Sequence, residues 1–121
     1  MARKNKNKGS WGEERAARYL RLRGYRILEK NYRCRQGEID LIARRGGFLV
    51  FVEVKLRKSA DFAEAREFVG RAKQERIMLT AQRWLQENET ELQPRFDVIE
   101  IYAPDGPEGR VKINHIENAF M

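Results

Sequence analysis

The stretch EIDLIARRGGFLVFVEVKL, residues Glu38–Leu56, decides the fold of this chain. Its two halves are rich in β-branched, aromatic and leucine side chains, which is typical of strands. Between them stands Gly46-Gly47, a dipeptide suited to a two-residue hairpin turn. The stretch therefore predicts two antiparallel strands, over Glu38–Ala43 and Phe48–Leu56.

The predicted turn also fixes which side chains meet across the hairpin. Counting back from a pairing of Arg45 with Phe48, Asp40 lies opposite Glu53, and Glu38 opposite Lys55. Facing carboxylates destabilise a sheet unless a proton, a cation or a bound metal compensates them.

Two chemical readings of this register stay open. Carboxylate oxygens bind Mg²⁺, and Lys55 could place a positive charge beside a phosphate or an attacking water, which favours metal-dependent phosphodiester hydrolysis. The alternative is a cross-strand ion pair of Glu38 with Lys55, with Asp40 protonated or solvated.

Helices and further strands are predicted on both sides of the hairpin. Ser10 and Glu13 predict a capping box at the start of a helix that ends at Gly24. The other predicted elements are strands over Tyr25–Tyr32, Phe96–Tyr102 and Val111–Ile116, a helix over Arg71–Asn88, and a loop with a short helical piece near Asp61–Phe68. This order predicts an α/β sandwich around one mixed sheet.

Length and composition exclude several classes of protein. A chain of 121 residues fits one domain, which we place at residues 10–121 after a basic arm (residues 1–9) that we expect to be disordered when unbound. The longest apolar run has five residues, Phe48–Val52, so neither a membrane span nor a secretory signal is expected. Cys34 is the only cysteine, which excludes an intrachain disulfide and fits a cytoplasmic location.

Positive charge is concentrated in the first third of the chain. The net charge is +7, and residues 1–35 hold twelve Lys or Arg against three acids. Such asymmetry predicts a polyanionic partner, with a solubilising surface as the alternative. The candidate nucleic-acid contacts are Arg15, Arg18, Arg21, Arg35 and, near the start of the second helix, Lys73.

Asp97 and His115, in the last third of the chain, are not expected to belong to the catalytic site. Asp97 is expected on a solvent-facing edge or paired with Arg95, without a catalytic role. His115 is the only histidine, so a metal or triad role for it is not expected.

The hairpin residues carry a family resemblance. Asp40 followed after twelve residues by Glu53-Val54-Lys55 resembles the PD-(D/E)xK signature of restriction endonucleases and archaeal Holliday junction resolvases, with Ile39 in place of proline. The longer text WGEERAARYLRLRGYRILEKNYRCRQGEIDLIARRGGFLVFVEVKLR, with KQERI and RFDVIEI further on, resembles the YraN-like bacterial family over nearly the whole chain.

The resemblance implies a restriction-endonuclease-like three-layer fold with the core order αβββαβ. It implies that Asp40 and Glu53 bind Mg²⁺ or Mn²⁺ with the backbone carbonyl of Val54, and that Lys55 is the catalytic cation. Glu13 would be an outer metal or water ligand, a role that competes with the capping box.

The activity implied by this resemblance is that of a DNA endonuclease acting in repair or recombination. Resolvase-like enzymes recognise structure rather than sequence, so branched or single-stranded DNA is the expected substrate, and a homodimer would suit the cutting of two strands. The alternatives are a non-catalytic DNA-binding module and an accessory protein of a DNA-processing complex.

Overall fold

The computed structural model describes the backbone of residues 6–57 and 69–120, with side chains from residue 11 onward within those ranges. This part of the chain forms two helices and five strands: α1 (Lys6–Leu22), β1 (Arg26–Cys34), β2 (Gly37–Arg45), β3 (Phe48–Arg57), α2 (Arg71–Glu87), β4 (Gln93–Tyr102) and β5 (Lys112–Ile116). The predicted α/β class and the order of the elements are confirmed. Neither helix is long and apolar enough to cross a lipid bilayer.

The five strands form one mixed sheet in chain order, β1 to β5. Neighbouring strands are antiparallel except β3 and β4, which are parallel and follow one another through α2. The predicted hairpin register is confirmed over five pairs, from Arg45 with Phe48 to Leu41 with Val52. At the turn, Gly46 has a φ of +57°, a conformation that glycine adopts without a Cβ penalty.

Alternate side chains of the strands enter two separate cores, because neighbours along a strand face opposite sides of the sheet. On one side, Ala16, Ala17 and Leu20 of α1 pack against Leu41, Ala43, Val50, Val52, Ile99 and Ile101. On the other, Ile77, Ala81 and Trp84 of α2 pack against Ile42, Leu49, Phe51, Phe96 and Val98. The sheet is therefore the middle layer of three, and we call its two sides the α1 face and the α2 face.

The start of the first helix differs from the prediction. α1 begins at Lys6, so Ser10 lies inside the helix, and the predicted capping box is wrong. The segment contains no proline and lysine is a good helix former, so the helix extends over residues 6–9 of the predicted arm. Residues 1–5 lie outside the described residues, as does the helical piece predicted near Asp61–Phe68. The stop at Gly24 is confirmed: its φ is +89°, and the next N–H, that of Tyr25, bonds to the carbonyl of Leu20.

The last two strands also differ in detail. β4 begins at Gln93 rather than at the predicted Phe96, so Pro94 lies inside the strand. A proline fits there because β5 pairs only with Val98–Tyr102, which leaves that flank of β4 without a partner strand. β5 covers the other half of β4 and makes it an internal strand.

This cover changes the setting of Asp97, which is fully buried on the α1 face. The expectation of a solvent-facing edge was wrong, whereas the pairing with Arg95 is confirmed at 2.9 Å. Asp97 also bonds to His115 Nε2 at 2.7 Å and to the N–H of Asn118 at 3.0 Å, and Tyr19 Oη lies 3.3 Å from His115 Nδ1. Asp97 thus connects β4, the β5 edge and α1.

We expect Asp97→Asn to lower the free energy of unfolding by about 3–5 kcal/mol, because removing one partner of a buried ion pair leaves Arg95 with only the exposed Glu117, at 3.9 Å, as a counter-charge. Urea denaturation at pH 7 measures this change. Burial acts to raise the pKa of Asp97, but the bonds from His115 and Arg95 outweigh it and hold the pKa below 3.8. The stabilisation is therefore present above pH 4 and lost as the pH falls below it.

The matched control is Asp105→Asn, which removes the same charge from an exposed pair with Arg110. An exposed pair contributes under about 1 kcal/mol. Equal destabilisation by the two substitutions would contradict the role given to Asp97.

Candidate active site

The α2 face of β3 changes from apolar to charged along its length. Phe51 is a core residue, and the next side chains on that face are Glu53 and Lys55. The strand pairing of β2 with β3 ends at Leu41 and Val52. Asp40 and Glu53 are the next residues on the two strands, with 9% and 8% exposure. The fold therefore brings two carboxylates to the edge of an apolar core.

Asp40 is held by the backbone rather than by a cation. Its Oδ2 accepts a hydrogen bond from the N–H of Val54 at 2.8 Å. The alternative ion pair of Glu38 with Lys55 is not formed, because Glu38 pairs with Arg33 of β1 at 3.0 Å and Lys55 lies 3.4 Å from Glu53. Asp40 thus has a fixed orientation, and within residues 11–57 and 69–120 no cation pairs with its carboxylate.

Two lysines share one oxygen of Glu53. Lys73 Nζ is 2.7 Å from Glu53 Oε2, and Lys55 Nζ is 3.4 Å from the same atom. Burial lowers the pKa of Lys55, and the neighbouring charge of Lys73 lowers it further. Burial also acts to lower the pKa of Lys73, but its hydrogen bond to Glu53 outweighs this and raises it. Lys73 is therefore the closer ionic partner of Glu53. Sequence reasoning placed Lys73 near a phosphate but missed this contact, since residues 58–70 separate the two elements in the chain.

The pKa of Asp40 is raised from 3.8 to about 7. Burial is the largest cause, and the charge of Glu53 is the next, while the hydrogen bond from Val54 acts in the opposite direction. Buried carboxylates with a like-charged neighbour behave in this way because the low-dielectric surroundings disfavour a second negative charge. Strong shifts of this kind cluster at functional sites.

Glu13 reaches the same end of the sheet from α1. The negative charge of Glu13 is a further cause of the raised pKa of Asp40. A Cβ at Gly12 would lie 3.2 Å from a side-chain carbon of Leu56, so the absence of a side chain there permits the close approach of α1 to β3. The predicted third acid is therefore within electrostatic reach of Asp40.

A second buried polar group adjoins the site and was missed from sequence. Lys55 pairs in register with Glu100 of β4, whose side chain is fully buried on the same face. Glu100 accepts hydrogen bonds from Arg57 at 3.0 Å and Asn114 at 2.9 Å. The sequence FDVIEIY did contain a sign of this buried acid. It places one acidic side chain on each face of the strand, which is unusual for an internal strand.

The predicted nucleic-acid contacts fall into two groups. Lys73 belongs to the site itself. Arg18, Arg21 and Arg35 are exposed, and Arg15 is partly exposed on α1. Within residues 11–57 and 69–120, none of these four arginines forms an ion pair with a carboxylate. Their charges are thus available to an external anion.

The far end of α1 lies beside the hairpin turn. The carbonyl of Arg23 accepts a hydrogen bond from Arg45 at 3.2 Å, and the two guanidinium groups stack on Tyr19 and Tyr25. α1 therefore extends from the carboxylates at one end of the sheet to an arginine-rich surface at the other.

The family resemblance implies a divalent metal at this end of the sheet. Mg²⁺ is commonly held by one or two carboxylates and completes its octahedron with water and phosphate oxygens. Asp40 and Glu53 supply two such groups, and burial together with the charge of Glu53 raises the pKa of Asp40, so a cation bound beside Asp40 would favour its ionised form. Within the described residues no cluster of three or more His, Cys, Asp or Glu side chains is assembled around one point. The residues fit a hard cation with an open coordination shell, such as Mg²⁺ or Mn²⁺.

We expect Asp40→Asn to become increasingly stable relative to the unsubstituted protein as the pH rises from about 4 to 7 in EDTA. A raised pKa means that folded Asp40 keeps a proton that the unfolded chain has lost, so the free energy of unfolding falls with rising pH across that window. The full difference is up to about 4 kcal/mol, from a pKa change of about three units.

Urea denaturation at several pH values measures this difference. Glu108→Gln, an exposed acid in the loop before β5, serves as the control and should give a small, constant difference. A flat pH profile for Asp40→Asn would show that Asp40 is ionised throughout the range.

The comparisons with known proteins agree with the sequence resemblance at family level. Residues 12–101 match the model of the family described as Uncharacterised protein family UPF0102. A UPF0102 protein of Caldanaerobacter subterraneus subsp. tengcongensis is 48% identical over 116 residues, covering 95% of each chain. Another, of Pelobacter propionicus, is 48% identical over 119 residues, covering 96% of this chain and 84% of the relative. A third, of Geobacter sulfurreducens, is 44% identical over 119 residues, with 96% and 90% covered. The chain therefore belongs to the UPF0102 family, the YraN-like family that its sequence resembles.

Proposed function

We propose that this protein is a metal-dependent nuclease that hydrolyses phosphodiester bonds in DNA. The proposal rests on one observation: the carboxylates of Asp40 and Glu53 are both buried and lie together beside Lys55, and the pKa of Asp40 is raised to about 7. Carboxylates placed together at a cost to stability are typical of sites that bind a cation. The element order and the Asp40, Glu53-Val54-Lys55 spacing support a restriction-endonuclease-like fold.

The residues take distinct roles in this proposal. Asp40 and Glu53 would hold Mg²⁺ or Mn²⁺, with the carbonyl of Val54 as a further donor. The metal would supply an activated water and offset charge that develops on the phosphate. Lys55, whose Nζ lies 3.4 Å from Glu53 Oε2, would lie near the scissile phosphate and oppose its negative charge. Glu13 would orient a water or accept its proton from the α1 side.

The substrate side of the proposal rests on the arginines without carboxylate partners. Arg15, Arg18 and Arg21 present charge along α1, and Arg35 adds charge after β1. Contacts of this kind bind the phosphate backbone and carry no sequence information. A structure-selective enzyme acting on branched or single-stranded DNA is therefore proposed. Cutting both strands would require two copies of the site, which favours a homodimer.

The second candidate is a DNA-binding module without catalysis. The observation that favours it is the double ion pair at Glu53, which compensates that carboxylate without any metal. In that case the lysines would be structural, and the basic surface would be the whole functional interface. The accessory-protein alternative has no specific contact in its favour.

Glu53→Gln is expected to lower the rate of metal-dependent DNA cleavage by on the order of 10²-fold or more, because it removes a proposed metal ligand at the reacting phosphate. Cleavage of labelled supercoiled, single-stranded, flapped and four-way-junction DNA with Mg²⁺, Mn²⁺ or EDTA measures it. The preferred substrate in this panel defines the specificity of the enzyme.

Glu91→Gln, an exposed acid purified in the same way, is the control and should cut like the unsubstituted protein. Equal cutting by all three proteins would indicate a contaminating nuclease and would overturn the site assignment. Salt-sensitive binding without any cutting would favour the non-catalytic module instead.

Replacing Arg15, Arg18 and Arg21 together with glutamine should weaken DNA binding and flatten its salt dependence. Each lost phosphate contact lowers the slope of log K against log salt by about 0.9. Fluorescence anisotropy at several salt concentrations measures both effects. The control replaces Arg33, Arg83 and Arg110 with glutamine. It removes the same total charge, but each of these arginines is paired with a carboxylate. Equal effects of the two triple substitutions would exclude a specific surface on α1.

A further inference from the structure

The carboxylate of Glu53, a proposed metal ligand, is already paired with two lysines. Glu53 Oε2 lies 2.7 Å from Lys73 Nζ and 3.4 Å from Lys55 Nζ. A metal ion bound by this carboxylate would place two positive charges beside the two ammonium groups, which costs free energy in a partly buried site. At least one lysine must therefore move away when the cation binds.

Lys73 is the lysine that can leave. Its side chain is 40% exposed, whereas that of Lys55 is 22% exposed. Lys73 also projects from the first turn of α2, while Lys55 is fixed by its position in β3, in register with Glu100 of β4. A lysine has a flexible four-carbon stem that can swing an ammonium into water or toward another anion. The closer contact is thus also the more easily broken one.

We propose that Lys73 occupies Glu53 as a resident counter-ion in the metal-free protein, and that a divalent cation displaces it and frees it to contact a phosphate of the substrate. The inference rests on the proposed function, since it takes Glu53 as a metal ligand. It gives Lys73 two successive anionic partners, the carboxylate and then a phosphate. Lys73 would link cation binding to substrate binding, because the cation frees its ammonium group from Glu53 and the substrate phosphate then binds the same group.

The linkage has a direct consequence for metal affinity. A cation that must displace Lys73 binds more weakly than it would if Glu53 were free. Lys73→Met removes the competitor and keeps the length and apolar character of the stem. We expect it to bind Mn²⁺ about two- to fivefold more tightly, the change expected for loss of a competing, partly exposed ion pair. The same variant should bind and cut DNA more weakly, since the phosphate contact is lost.

Two matched variants make the comparison specific. Lys73→Arg keeps the positive charge and should restore the metal affinity of the unsubstituted protein. Arg76→Met removes a positive charge from the same helix, at an exposed position without a carboxylate partner among the described residues. It should leave Mn²⁺ affinity nearly unchanged, because only a charge on Glu53 competes directly.

The experiment is isothermal titration calorimetry of Mn²⁺ into the four proteins without DNA, followed by DNA cleavage at saturating Mn²⁺. Tighter Mn²⁺ binding by Lys73→Met alone, together with at least threefold slower cleavage, supports the proposal. Equal Mn²⁺ affinity of Lys73→Met and the unsubstituted protein overturns it, while the nuclease assignment stands if both still cut. Tighter binding by Arg76→Met to the same extent also overturns it, because the effect would then be one of net charge. No Mn²⁺ binding by any of the four would overturn the proposed function as well.

Discussion

The register of the β2–β3 hairpin is the constraint on which the whole site depends. Pairing Arg45 with Phe48 across the Gly46 turn sets every later pair along the two strands. A slip of one residue would turn Glu53 onto the α1 face, among alanine and valine side chains, and would exchange Phe51 for a neighbour in the other core. The apolar packing around Phe51 and the position of the carboxylates are therefore enforced together.

Burial of acidic groups is a repeated feature of this fold, and their partners differ. Asp97 is compensated by Arg95 and His115, and Glu100 is bonded to Arg57 and Asn114. Glu53 has its two lysines. Asp40 accepts its bond from a neutral backbone N–H, so it alone among these four acids has no cationic partner within 4 Å in the described part of the chain. The deficit of positive charge is thus localised at one carboxylate rather than spread through the sheet.

Local patterns in the sequence predicted much of this arrangement. Strand periodicity and a glycine turn were sufficient for the hairpin and its register, and helical spacing was sufficient to predict α2. Contacts between elements far apart in the chain were not predictable in this way. The pairing of Lys73 with Glu53 and the cover of β4 by β5 depend on how the helices and edges pack, which periodicity does not encode. The burial of Asp97 follows from that cover, and so it was missed.

The length of α1 can be compared with the spacing of base pairs in DNA. Its residue Gly12 rests against Leu56 near the carboxylates, and the carbonyl of Arg23 is tied to Arg45 beside the hairpin turn. A helix rises about 1.5 Å per residue, so Arg21 lies about 12 Å along the axis from Glu13. Duplex DNA rises about 3.4 Å per base pair, so this interval corresponds to about three to four base pairs. Under the proposed function, a nucleic acid lying along α1 would have its phosphates at fixed distances from Glu13, and the position of cleavage would depend on distance along the backbone rather than on the identity of any base.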